Sequence, residues 1–217
     1  MITRREFLAA TSALALLAAL DLPFATAHAQ GNAPTEIMVP PPLGEMSLGN
    51  PNATVTIIEY ASLWCSHCGN FHKTVFPELK KRYIDTGKVL FIFREYPLNE
   101  RGAAASMLAR CAATQGGKER FFAMVDVLFE RQESWAYVQD PGPPLFALAR
   151  QAGFTEQTYK ACLADQKVLD GLQAEQNRAS SKFGVSSTPT LFVNGKMQRG
   201  VGTIDDLAKV IDPLLKS

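Results

Sequence analysis

The sequence predicts an α/β fold: a mixed sheet laid down in the order β-α-β … β-β-α, with a block of helices inserted in its middle. Three observations predict it. Residues 53–60 (Ala-Thr-Val-Thr-Ile-Ile-Glu-Tyr) form a β-branched, mostly apolar run, the pattern of a strand covered on both faces. A helical stripe (Phe71, Val75, Leu79, Tyr83) and a second apolar run at 89–93 follow it, as a crossover to a parallel strand requires. Near the C-terminus two short strand-like runs flank Asn194-Gly195, a hairpin turn signal, and lead into an amphipathic segment.

The chain has 217 residues, 47% of them hydrophobic, enough for one core with an inserted subdomain. Its net charge of +1 and lack of a dense basic run argue against a nucleic-acid partner.

Taken in order, residues 1–29 read as an export signal. Arg4 and Arg5 precede a short Ala/Leu-rich run, and Ala27-His28-Ala29 supplies the small residues of a cleavage site before Gln30. The order Thr3-Arg4-Arg5-Glu6-Phe7-Leu8 is similar to a twin-arginine signal. Export places the mature chain where disulfides persist, and its four cysteines permit two bridges. No stretch is apolar enough for the mature chain to be membrane-embedded.

Residues 30–52 are rich in Pro and Gly and read as an extended arm, too short and too broken by proline to be a dimerisation domain, so a monomer is expected. The main domain is expected over 53–217. Within its first helix Pro77 predicts a kink, and Asp85-Thr86-Gly87 predicts the end. From about 101 to 182 the pattern is helical. Its segments near 103–114, 119–131, 145–151, 156–164 and 165–183 are punctuated by Gly116-Gly117, residues 141–144 and Gly153. Strands are expected at 191–193 and near 197–199, then a last helix with Thr203 as its N-cap.

The chemistry concentrates in Cys65-Ser66-His67-Cys68, at the junction of the first strand and its helix. Cysteines at i and i+3 on the first helical turn share a face. The helix N-terminus presents free N–H groups and partial positive charge, which favour a thiolate at Cys65, the outermost position. His67 can add a donor or a charge beside it. Each unit of pKa depression favours the reduced state by about 1.4 kcal/mol, roughly 30 mV towards a stronger oxidant. The pattern therefore points to a donor of disulfides.

Other uses of the motif are weaker. Zinc needs two further ligands, whereas Cys111 and Cys162 stand singly and His72 is isolated, so no metal site is expected. Haem attachment needs His directly after the second cysteine, where Gly69 stands. A purely structural bridge would constrain little chain entropy. The same thiolates could hold Cu(I), with Met197 as the nearest candidate for a third soft ligand.

Two further residues invite a role. Pro189, in Ser187-Thr188-Pro189-Thr190, is either a cis-proline beside the cysteines, leaving backbone free to pair with an extended substrate, or an ordinary trans proline opening a strand. Glu59, at the end of its strand, is either a buried acceptor for the Cys68 proton or a strand-end carboxylate reaching water.

The chain resembles the DsbA family of thioredoxin-fold oxidoreductases. The resemblance is carried by residues 55–60 with Glu59, the Trp64-Cys65-Ser66-His67-Cys68 motif, Phe71, residues 83–89, residues 93–98 and residues 187–195. It implies a thioredoxin-like fold with an inserted helical domain. Cys65 would be the nucleophile and Cys68 the resolving thiol. Pro189 would be cis, Thr188 would contact substrate, and Glu59 would fill the buried acidic position. It also implies exported client proteins with free thiols, a membrane redox partner of the DsbB type, a periplasmic location and no cofactor. Ser66 stands where the best-known oxidants of the family have proline, which leaves a reductase or isomerase as the second expectation. Cys111 and Cys162 are expected to bridge the helical block; closing a loop of about fifty residues is worth on the order of 4 kcal/mol.

Overall fold

The computed structural model describes residues 36–216; the export signal expected over 1–29 and residues 30–35 of the expected arm lie outside the described residues. Five strands, β1 (Met46–Gly49), β2 (Val55–Ala61), β3 (Val89–Glu95), β4 (Thr190–Val193) and β5 (Lys196–Gln198), make one sheet in the order β1-β3-β2-β4-β5. Only β2 and β3 run parallel; β1, β4 and β5 pair antiparallel with their neighbours. All seven residues of β2 are buried because both faces of the sheet are covered. Val55, Ile57 and Ala61 join the larger core with the active-site helix and the helical insertion. Ile58 and Tyr60 face a smaller cluster with Ile37, Ile92, Phe183 and Phe192.

The crossover from β2 to β3 starts as α1 (Ser66–Thr74) and bends at Val75 into α2 (Phe76–Leu79), which continues as a π-turn over Lys80–Ile84. Pro77 sits in the first turn of α2, where its missing N–H leaves no intrahelical bond unmade. The helical insertion holds α3 (Glu100–Glu130), α4 (Gln132–Trp135), α5 (Gly142–Gln151), α6 (Glu156–Leu163) and α7 (Gln166–Phe183). Helix α3 is interrupted at Gly116 and Gly117, the latter at φ 74°, a left-handed conformation that glycine adopts without cost. Side-chain caps set the helix starts: Asn99 accepts from Gly102 N, Thr155 from Thr158 N, and Asp165 from Val168 N. Thr203 does the same for α8 (Ile204–Leu214), accepting from Asp206 N.

The arm expected over 30–52 is corrected for its described part: it is built into the sheet. β1 pairs with β3 along Met46↔Phe93 to Gly49↔Leu90, and Ile37 is fully buried. Two buried arginines from distant elements hold it there. Arg94 reaches Glu45 through two hydrogen bonds of 3.0 Å, while its Nη1 donates to Tyr60. Arg110 donates to the carbonyls of Leu43 and Gly44 and pairs with Glu95. Tyr60, whose hydroxyl is pushed up to about 12 mainly by burial, donates onward to Glu175. Leu43, Met46 and Leu48 pack against the larger core, and ion pairs and carbonyl contacts that no local pattern displays hold the stretch beside them.

Candidate active site

Cys65 is the N-cap of α1, with extended backbone (φ −75°, ψ 122°), so its side chain and the free N–H groups of the first turn lie together. Cys65 is 7% exposed and Cys68 fully buried; both are free thiols here. The pair is electrostatically asymmetric. Cys65 is lowered from an ordinary value near 9 to about 5. The largest cause is the hydrogen bond from the Cys68 thiol; burial opposes it; the Thr188 side chain and the backbone N–H groups of Cys68 and His67 add to it. Burial, first of all, pushes Cys68 up, reinforced by its hydrogen bond to Cys65 and by the negative charge of Glu59.

The Thr188–Pro189 peptide bond is cis. It brings the Thr188 carbonyl within 3.3 Å of Cys65 Sγ, across 123 positions of sequence. The Thr188 hydroxyl, buried without an oxygen or nitrogen partner, favours the thiolate at both sulfurs. His67 is exposed, and it acts on Cys65 through its backbone N–H, where the sequence reading had invoked its ring. Glu59 does not reach water: it is fully buried, and its Oε2 lies 2.9 Å from His72 Nε2. His72 is therefore not isolated. Met197 packs against the smaller core cluster, away from Cys65 and Cys68, which sit in the larger one. Among the described residues no group of three His, Cys, Asp or Glu side chains is arranged to hold a metal.

Three contributors escaped the sequence reading. Gln132, buried on α4, donates from Nε2 to the carbonyls of Leu63 (2.7 Å) and Cys65 (3.0 Å) and so fixes the loop that carries Cys65. Its amide also explains Gly69, where a Cβ would lie 2.4 Å from Gln132 Oε1. Tyr137 donates to the Trp64 carbonyl and packs edge-on against the indole. His72 had one legible signal, a histidine one turn beyond Cys68 on the same face as Phe71 and Val75. For Gln132 and Tyr137 no sequence signal existed. Around Cys65 a cleft of about 390 Å³ is lined by Trp64, Leu98, Tyr137 and Thr188 among others. Leu98 and Tyr137 are 42% and 48% exposed, an apolar rim suited to extended peptide.

Replacing Gln132 by Ala leaves two carbonyls beneath the active-site loop unpaired and is expected to cost about 1–3 kcal/mol. Urea unfolding of the reduced protein measures it; an unchanged midpoint would remove Gln132 from this role.

Cys111 on α3 and Cys162 on α6 are joined by a disulfide with a Cα–Cα distance of 6.1 Å, outside the cleft around Cys65.

A dithiol at the start of the helix that follows a central strand, faced by a cis-proline loop, defines a thioredoxin-class protein with a reactive cysteine pair. In keeping with this, the thioredoxin family model matches residues 43–213. The crystal structure of Wolbachia pipientis alpha-DsbA1 superposes with a TM-score of 0.76 at 33% identity, covering 83% of this chain and 95% of that one. A Rickettsia felis protein, named a candidate protein-disulfide oxidoreductase, is 34% identical over 172 residues, 79% of this chain and 60% of that protein. The disulfide bond formation protein D of Bacillus subtilis is 27% identical over 178 residues, 80% of this chain and 78% of that protein. The chain belongs to the DsbA family of thioredoxin-fold proteins. It spans 60% to 65% of the length of two of the Rickettsia relatives it matches.

Proposed function

We propose that the protein is an exported, periplasmic thiol–disulfide oxidoreductase that works as an oxidase, passing its Cys65–Cys68 disulfide to exported client proteins. The observation that carries this reading is the unequal pair: a Cys65 thiolate held at about 5 beside a Cys68 thiol pushed up. In the forward reaction a client thiolate attacks Cys65 Sγ; the Cys65–Cys68 bond breaks and Cys68 leaves, taking a proton. A second client thiolate then attacks the client sulfur of the mixed disulfide. Cys65 leaves as a thiolate, and its low value makes it a good leaving group. The client gains one disulfide, and the protein is left as Cys65 thiolate and Cys68 thiol. The apolar rim and the cis-proline loop are suited to hold the client's backbone extended across Cys65. A membrane partner of the DsbB type would restore the disulfide by the reverse sequence, with the protein acting as a monomer. Among the described residues no helix is long and apolar enough to cross a membrane. The family's chemistry needs no cofactor beyond the two sulfurs.

The test is the equilibrium of the Cys65–Cys68 couple with glutathione, using Cys65→Ser as the blank. The depressed Cys65 stabilises the reduced state, so at pH 7 a potential roughly 60 mV above that of an unperturbed dithiol is expected, growing to on the order of 100 mV towards pH 9. A potential near that of a reducing thioredoxin would sink the oxidase reading in favour of a reductase or isomerase.

A further inference from the structure

A stretch of the helical insertion beside the cysteines is held in place by a side chain from another helix. Residues 136–141 join α4 to α5, and among the described residues the backbone of 137–140 makes no hydrogen bond to any other backbone group. Its carbonyls turn instead to Arg101, in the first turn of α3. Arg101 Nη1 donates to the carbonyls of Ala136 (3.0 Å) and Val138 (2.6 Å), and Nη2 donates to that of Gln139 (3.1 Å). Three carbonyls on one guanidinium fix a stretch of chain that has no ladder of its own.

The same stretch is tied to the residue before Cys65. Trp64 Nε1 donates to the Ala136 carbonyl (3.0 Å), the acceptor it shares with Arg101, and the Tyr137 hydroxyl donates back to the Trp64 carbonyl (3.0 Å). The two rings meet edge-on with 6.0 Å between centroids. Arg101 itself starts from a fixed place. Asn99 caps α3, and Gly102 presses on the active-site loop so closely that a Cβ there would come within 2.9 Å of Ser62 Oγ. Arg101 therefore joins the base of α3 to a wall made of Trp64 and Tyr137.

Tyr137 gains little from this place by burial, since it is 48% exposed. Its ring and that of Trp64 line the cleft around Cys65 together with Leu98, and no carboxylate, ammonium or guanidinium group lines that cleft. A client side chain entering it meets aromatic and apolar surface rather than charge.

We propose that Arg101 is a positioning residue for client selection: it holds Tyr137 beside Trp64 so that the two rings pack against the side chain next to the client's reacting cysteine, favouring an aromatic or large aliphatic residue there. The proposal rests on the oxidoreductase reading and deepens it by naming the chemistry of the preferred client. Arg101 acts on the client only through Tyr137, because its guanidinium is spent on the three carbonyls.

The test uses the oxidised full chain and two short peptides, each with one cysteine, that differ only in Phe or Ser beside it. The rate at which each peptide opens the Cys65–Cys68 disulfide is read by acid quench and mass at rising peptide concentration. Division by the rate with glutathione removes any change in the reactivity of the disulfide itself. The unsubstituted protein is expected to prefer the Phe peptide by about fivefold to tenfold, in the half-saturating concentration rather than in the limiting rate. Tyr137→Ala and Arg101→Met should each bring that preference below about twofold. Arg101→Lys keeps the charge, but one ammonium cannot span three carbonyls, so it should lose at least about half of the preference. Adding Tyr137→Ala to Arg101→Met should change nothing further, because both act through one ring.

An unsubstituted protein without preference overturns the proposal, and so does full preference in Tyr137→Ala or in either Arg101 variant. An Arg101→Met protein that melts at lower temperature yet selects as before has lost only a structural bond, which overturns it too. A further loss in the double variant overturns it by showing that Arg101 acts elsewhere. Should Arg101→Met not fold, Arg101→Lys and Tyr137→Ala decide by the same criteria. A disulfide that neither peptide nor glutathione opens would overturn the oxidoreductase reading itself, an outcome distinct from preference lost in the variants alone.

Discussion

Alkylation of reduced Cys65 is expected to hold its full rate down to about pH 6 and to fall to half near pH 5, whereas an ordinary cysteine would already be slow at neutral pH. Iodoacetamide labelling against pH, read by mass, measures this, with thiolate absorbance as a second probe. Cys65→Ser should abolish both the labelling and all disulfide transfer. Stability is coupled to the same titration. A thiol whose value is lowered by folding stabilises the folded reduced chain above its ordinary value near 9, and the contribution is lost as pH falls through about 5. Measured against the glutathione couple, whose thiols stay protonated, the balance should therefore move towards the reduced protein from pH 5 up to 9. Cys68 acts in the opposite sense: raised by folding, it stabilises the neutral buried thiol and loses that contribution only above its ordinary value near 9. A labelling midpoint near 8 or 9 would contradict the electrostatic account of the site and remove the main support for an oxidase.

Removing the second disulfide with Cys111→Ala and Cys162→Ala should cost about 4 kcal/mol, since it releases a loop of 51 residues in the unfolded chain. For a chain of this size that corresponds to a melting temperature lower by about 10 °C. Transfer by Cys65 and Cys68 should stay within about twofold of the parent, because neither Cys111 nor Cys162 lines the cleft around Cys65. A loss of melting temperature under about 3 °C would show that the unfolded chain retains structure that already keeps the Cys111 and Cys162 segments together. A large loss of transfer would show that the bridge is coupled to the site.

Much of this molecule follows from short-range information. The buried strand, the Cys65-Ser66-His67-Cys68 motif and the helix after it are neighbours in the chain. Apolar periodicity and the position of the motif therefore set the βα junction and put Cys65 at the start of the helix. The helix starts at Asn99, Thr155, Asp165 and Thr203 are likewise local, because a cap bonds within three residues of itself.

Tertiary structure decided what those residues do. Thr188 meets Cys65 across 123 positions, Gln132 holds the Leu63 carbonyl across 69, and Arg110 ties down Leu43 across 67. The arm read as linker became an edge strand because Arg94 and Arg110, distant in sequence, supplied partners for its carboxylate and carbonyls. Glu59 could be read as buried or wet from sequence, and only the packing of α1 and α3 over the sheet placed His72 against it. A side chain's type and local spacing set which chemistry it can perform. Its partner, its burial and therefore its charge state belong to contacts between elements far apart in the chain, and those exist only once the core has closed.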